Sequence, residues 1–172
     1  MVRFWDPLVR LLHWGWAAII ILNQWVLEDG GPWHERLGYW ACAFVLIRVF
    51  WGFFGSKNAR FSEILKAWPP RGQFVSHLKS YLAHRNERYL NHPPLAMIVM
   101  SAMLSLVLAL GLTGWLMDQE AFFGVEWVEE THEALASILI ALVFAHVAGV
   151  LRASFLEREN LIASMIHGKK RQ

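Results

Sequence analysis

The chain has 172 residues, enough for one domain and little more. Hydrophobic residues make up 56% and charged residues 17%, which is more apolar and less charged than an ordinary soluble domain. The formal charge is only +2, so its arrangement matters more than its sum; nucleic acid is not an expected partner, and one cysteine, Cys42, excludes an internal disulfide framework.

Four apolar stretches of about 20 residues each follow along the chain, the length of a membrane helix. They cover roughly 7–27, 33–54, 94–117 and 132–155. Pro7 and Pro94 open the first and third, where a missing N–H costs nothing. Gly30, Gly31 and Pro32 mark a tight turn between the first two. Bulky Trp25, Val26 and Leu27 stand where a signal peptide would need small residues, so the first stretch reads as a retained span. Ten tryptophans are present. Trp5, Trp14, Trp16, Trp25, Trp33, Trp51, Trp115 and Trp127 fall at or near the ends of the runs, as in an aromatic belt.

The charges sort by side. Of the sixteen Lys and Arg, fifteen lie at the N-terminus, in the 55–92 loop or its flanks, or at the C-terminal end; only Arg36 lies between spans on the other side. Glu28, Asp29, Glu35, Asp118, Glu120, Glu126, Glu129, Glu130 and Glu133 gather there instead. The positive-inside rule therefore places both termini and the middle loop in the cytoplasm. The expected fold is all-α: one integral membrane four-helix bundle spanning 1–172, in contact with membrane lipid. Within the loop, Trp68-Pro69-Pro70 is a break. Phe74, Val75, Leu78 and Leu82 then recur at helical spacing beside Lys79 and Arg85, which reads either as a short helix lying on the membrane surface or as a plain solvated linker.

Four histidines lie in or beside the cytoplasmic segments: His77, His84, His92 and His167. The other four, His13, His34, His132 and His146, lie in or at the rims of apolar runs, where an ionisable group needs a partner and a task. His132 and His146 are 14 residues apart, roughly 40° short of four helical turns and about 21 Å along the axis. Both thus point from nearly one face, separated by Leu135, Ala136, Leu139 and Val143. By depth, His13 pairs with His146 near the cytoplasmic end, and His34 pairs with His132 near the outer end. One imidazole from each of two helices is what an axially bis-ligated haem requires. Two b-type haems per chain are expected, held by His13/His146 and His34/His132. No C-x-x-C-H occurs, which rules out covalent c-type attachment.

Neighbouring residues suit this reading. Gly38, one turn after His34, and Gly149, three residues after His146, allow a flat ring to approach. Arg10, Arg48 and Arg152 are candidate partners of haem propionates, since a guanidinium matches a carboxylate. Arg48 follows His34 by 14 residues and so reaches the depth of the inner pair. Gln24, on the His13 face, is a candidate quinone hydrogen-bond partner.

These residues carry a resemblance. The chain resembles the bacterial cytochrome b-561 and nickel–iron hydrogenase b-type cytochrome subunit family. The matching pieces are Asp6-Pro7-Leu8-Val9-Arg10-Leu11-Leu12-His13-Trp14, His34 through Gly38 and Tyr39, Leu46 through Gly52, His132 to His146 with Gly149, and the 158–170 ending. Asn91-His92-Pro93-Pro94 departs from the Gly-His-Asn-Pro often found in the family. The resemblance implies a protein of the bacterial cytoplasmic (inner) membrane with two haems b ligated by the four histidines. It implies respiratory electron transport between quinone or quinol and a redox partner such as a c-type cytochrome, dehydrogenase or hydrogenase. A second reading makes the chain a haem-bearing membrane anchor subunit of a larger hydrogenase or dehydrogenase complex. A third, haem-free reading is a proton or ion transporter with histidine relays; the lack of internal repeats and of paired broken helices counts against it.

Overall fold

A computed structural model describes residues 2–3, 5–27, 30–65, 75, 79 and 94–170. Asp6 stands in extended conformation before the first helix, α1 (Pro7–Trp25), and its carboxylate accepts hydrogen bonds from the N–H groups of Leu8 (2.9 Å) and Val9 (3.2 Å). Those amides have no partner inside the helix, so the side chain satisfies them. Helix α1 ends two residues short of the expected limit, where the amides of Val26 and Leu27 both close on the Leu22 carbonyl. Gly30 then adopts φ +70°, a conformation that side chains disfavour, and Pro32 opens α2 (Pro32–Phe54).

A single 3-10 turn at Lys57–Ala59 and a short helix, α3 (Phe61–Leu65), follow. Of the expected surface helix, only Val75 and Lys79 are described, both helical and exposed; Phe74, Leu78, Leu82, His77, His84 and His92 lie outside the described residues. Helix α4 is Pro94–Met117 and α5 is Glu126–Glu157. Asn160 caps α6 (Leu161–His167) by accepting from the Ala163 amide, and Gly168 ends it at φ +76°. A two-residue ribbon completes the fold, with β1 (Val2–Arg3) antiparallel to β2 (Lys169–Lys170).

The helices pack in an antiparallel series, α1 on α2, α2 on α4 and α4 on α5. Three hydrogen bonds fix the α1–α2 register: Ser56 Oγ to Asp6 Oδ2 (2.6 Å), Trp16 Nε1 to the Ala41 carbonyl (3.0 Å), and Asn23 Nδ2 to the His34 carbonyl (3.1 Å). Gly15 lets the Phe44 ring lie against α1; a Cβ there would stand 2.6 Å from it. Between α2 and α4, Cys42 Sγ donates to the Val107 carbonyl at 3.5 Å, and a Cβ on Gly111 would collide with that sulfur. The centre is Ile19, Ala41, Val45, Val107 and Leu139. Small residues at close backbone approaches are how helices associate in lipid, where apolar transfer gives no driving force.

Among the described residues, three helices are long and apolar enough to cross a membrane: Pro32–Phe54, Leu95–Met117 and Glu126–Glu157. Few of their residues are buried within the protein; Phe50, Phe54, Leu112, Phe144, Leu151 and Phe155 are exposed. Helix α1 is not among the three, because Arg10, His13, Asn23 and Gln24 dilute its apolar run. Helix α5 begins at Glu126, six residues earlier than the expected fourth stretch, so His132 lies nearly two turns inside a helix rather than at its start. Of the expected belt, Trp14, Trp25, Trp33, Trp115 and Trp127 are exposed, whereas Trp16 turns inward to Ala41 and Trp5 Nε1 donates to Ser164 Oγ at 3.1 Å.

The two ends of the chain meet. Beyond the ribbon, the Trp5 amide donates to the Gly168 carbonyl at 3.2 Å, and Arg10 donates through Nε to the Met165 carbonyl (2.9 Å) and through Nη2 to that of Ile166. A cation at the carbonyl end of a helix is favourable. Burial raises the Asp6 pKa, but hydrogen bonds from Ser56 and the helix amides outweigh it and hold the carboxyl below its ordinary 3.8. A folded-state pKa below the unfolded one gives stability that is present above about 3.8 and lost as pH falls through the folded value. Asp6→Ala is expected to cost about 1 kcal/mol, as loss of an N-cap does. The difference in unfolding temperature from the parent should shrink on acidification below pH ~4; a gap that persisted there would show that the carboxylate's charge plays no part.

A candidate site of two histidine pairs

Helix α5 carries His132 and His146 with no break between them, so the 14-residue spacing becomes about 21 Å of straight separation. His13 comes from α1 and His34 from the first turn of α2. The ring centres of His13 and His146 are 6.3 Å apart with planes at 56°, and those of His34 and His132 are 6.3 Å apart at 54°. The pairing read from depth is thus the pairing in space. All four rings are half-buried. Helix α5 packs its backbone chiefly on α4, and the ring pairs bring it to α1 and α2.

Hydrogen bonds orient the outer pair. His34 Nδ1 donates to the Leu27 carbonyl at 2.9 Å, and His132 Nδ1 lies 2.8 Å from Thr113 Oγ. With Nδ1 carrying the proton, Nε2 of each ring keeps its lone pair. In the inner pair, His13 Nδ1 is buried and has no hydrogen-bond partner among the described residues, and the Trp14 ring stands edge-on to His13 at 5.3 Å. Among the described residues no cluster of three or more His, Cys, Asp or Glu side chains could hold a metal ion by itself. The donor set is two imidazoles per tier, not the four-ligand set of a structural zinc site.

The two glycines border open space. Among the described residues, no atom outside the neighbouring turns lies within 4 Å of where a Cβ on Gly38 or Gly149 would stand. Arg48 is 5% exposed, its guanidinium lies 4.9 Å over the Phe61 ring, and its Nη1 is buried without a hydrogen-bond partner among the described residues. The Asp6 carboxylate acts on Arg48 through space. Arg10 is engaged with the carbonyls of Met165 and Ile166 and so holds the terminal helix. Arg152 is half-buried on α5, beyond His146. Gln24 is half-buried beside Asn23.

Sequence reading missed Thr113, Asn23 and the clamp formed by Arg10. Thr113 gave no signal, because a hydroxyl in an apolar run commonly bonds back to its own helix. The partner of Arg10 depends on α6 folding under the bundle, which no local pattern reports.

No solved structure matches the chain. A curated protein of Rhizobium leguminosarum bv. viciae, named "Probable Ni/Fe-hydrogenase B-type cytochrome subunit", is 23% identical over 159 residues. The match covers 80% of this chain and 66% of that protein, just under two thirds of its length. The profile of the prokaryotic cytochrome b561 family matches residues 4–168, almost the whole chain. With paired imidazoles on neighbouring apolar helices and a family match of that extent, the chain belongs to the prokaryotic cytochrome b561 family.

Proposed function

We propose that this protein is a single-domain, four-helix membrane cytochrome that binds two haems b and passes electrons between quinone or quinol and a redox partner. The observation that carries the proposal is the equal 6.3 Å spacing of the two histidine pairs. A ring-centre separation of 6.3 Å leaves room for one metal ion between two imidazoles with metal–nitrogen bonds of about 2 Å each. A porphyrin brings its own four equatorial nitrogens, so two axial donors suffice where a bare ion would need more.

The residues of the chain fit the group. His13 with His146, and His34 with His132, would hold the two haems. Gly38 and Gly149 leave room for the ring edge, and the buried Nη1 of Arg48 is a donor suited to a propionate at the inner tier. Arg152 is a second propionate partner, and the donors of Arg10 serve the terminal helix. When bound, the haem supplies reversible one-electron chemistry. The protein holds the imidazoles in place, excludes water with its apolar faces, and sets the two tiers about 21 Å apart along α5.

Four crossings account for the meeting of the termini. Three apolar helices alone would leave the chain's ends on opposite faces, yet β1 pairs with β2. Helix α1, 19 residues long, spans about 28 Å, close to the hydrocarbon thickness, and serves as the fourth crossing. The basic termini and loop favour a cytoplasmic side, in a bacterial inner membrane. The name of the Rhizobium protein supports a second reading, in which the chain anchors a hydrogenase-type complex.

The test is a visible spectrum of detergent-purified protein, oxidised and dithionite-reduced, with a pyridine haemochrome count. Two b-type haems per chain are expected. A protein without a Soret band would sink the proposal. Co-purification of a larger redox subunit would favour the anchor reading over the free carrier.

A further inference from the structure

Thr113 lies on α4, a helix that bears none of the paired histidines. It is 8% exposed, a buried hydroxyl in an apolar helix. Its Oγ donates to the carbonyls of Ala109 and Leu110, both at 3.1 Å, as a shared bond within its own helix. A hydroxyl has one proton to give and two lone pairs. The 2.8 Å contact to His132 Nδ1 is therefore one in which the imidazole N–H donates and Thr113 accepts. The next residue backs the same ring: a Cβ on Gly114 would stand 3.6 Å from His132 Cε1. Helix α4 thus contacts His132 at Nδ1, and Gly114, lacking a side chain, leaves room for the Cε1 edge.

We propose that Thr113 is a positioning residue that fixes the tautomer and angle of His132 and thereby sets the potential of the haem held by His34 and His132. The inference rests on the haem reading above. An imidazole that donates its second N–H to an oxygen is a more basic ligand, and such outer partners commonly alter metal affinity 10–100-fold when removed. A more basic axial ligand favours the ferric state, so the hydrogen bond lowers the potential of that haem. His34 makes the matching bond to a main-chain carbonyl, which substitution of Leu27 would not remove. Thr113 is the side chain through which the sequence adjusts this tier. The inner tier lacks such a contact at His13, whose Nδ1 has no partner among the described residues.

The experiment is a spectroelectrochemical titration of the purified, haem-loaded parent, Thr113→Val and Thr113→Ser, with low-spin ferric EPR of each. Valine keeps the shape and removes the acceptor; serine keeps the acceptor. One of the two midpoint potentials is expected to rise in Thr113→Val, with a shifted EPR signal for the same haem and looser retention of it by roughly tenfold. Thr113→Ser should restore both. Repeating the titration in a His34→Ala background, where the outer haem is missing, should abolish the difference between Val and Thr at position 113. Unchanged potentials in Thr113→Val, or equal shifts in the Val and Ser variants, would overturn the role. A parent protein lacking two haems would instead overturn the haem reading on which it stands.

Discussion

Purified His34→Ala and His132→Ala are each expected to carry one b-type haem where the parent carries two, and to carry the same one. The two rings of that pair face each other at 6.3 Å, so removing either leaves the same tier with a single axial donor. The other tier is about 21 Å away along α5 and shares no ligand with it, so it should remain filled. His13→Ala and His146→Ala should empty the inner tier in the same way. The double variants sharpen the expectation. His34→Ala/His132→Ala should still hold one haem, while His13→Ala/His34→Ala should hold none. The measurement is pyridine haemochrome per chain, with circular dichroism to confirm that the helices persist. Loss of both haems from His34→Ala/His132→Ala would mean the tiers are not independent, and the pairing would need to be redrawn.

Gly38→Leu and Gly149→Leu should each remove one haem without unfolding the chain. Among the described residues, no atom outside the neighbouring turns lies within 4 Å of a Cβ at either position, so a side chain there starts into open space. Exchanging a helix-interior glycine for leucine also removes a propensity penalty of roughly 0.5–1 kcal/mol. Sterics of the polypeptide alone therefore forecast two neutral or stabilised variants. If the space is filled by a ring, the leucine competes with it directly. Gly38→Leu should then empty the tier of His34 and His132, and Gly149→Leu that of His13 and His146. Gly111→Leu is the contrasting case: its side chain would collide with Cys42 Sγ and should disrupt α2–α4 packing whether or not haem is bound. Full haem content in both leucine variants would show that the open space beside the glycines faces lipid and not the prosthetic groups.

The long helices and the pairing of the four histidines were legible in the sequence. Apolar runs of membrane length reported the four long helices, because in lipid a backbone must satisfy its own hydrogen bonds and a helix is the local way to do so. The 14-residue interval between His132 and His146 reported two tiers, because helical rise and twist convert spacing into depth and face. Depth alone then paired His13 with His146 and His34 with His132, since antiparallel helices of known direction leave one match. The tertiary structure decided what no local pattern encodes. It started α5 at Glu126, drawing His132 inside a continuous helix. It brought the Arg10 guanidinium to the carbonyls of Met165 and Ile166, which come within reach only when the two ends of the chain meet. It brought the Thr113 hydroxyl of α4 to the Nδ1 of His132, a contact set by how two helices cross. Spacing along one helix is fixed by backbone geometry, whereas contacts between helices depend on side-chain packing at the seam, where Gly15, Cys42 and Gly111 set how closely the backbones approach.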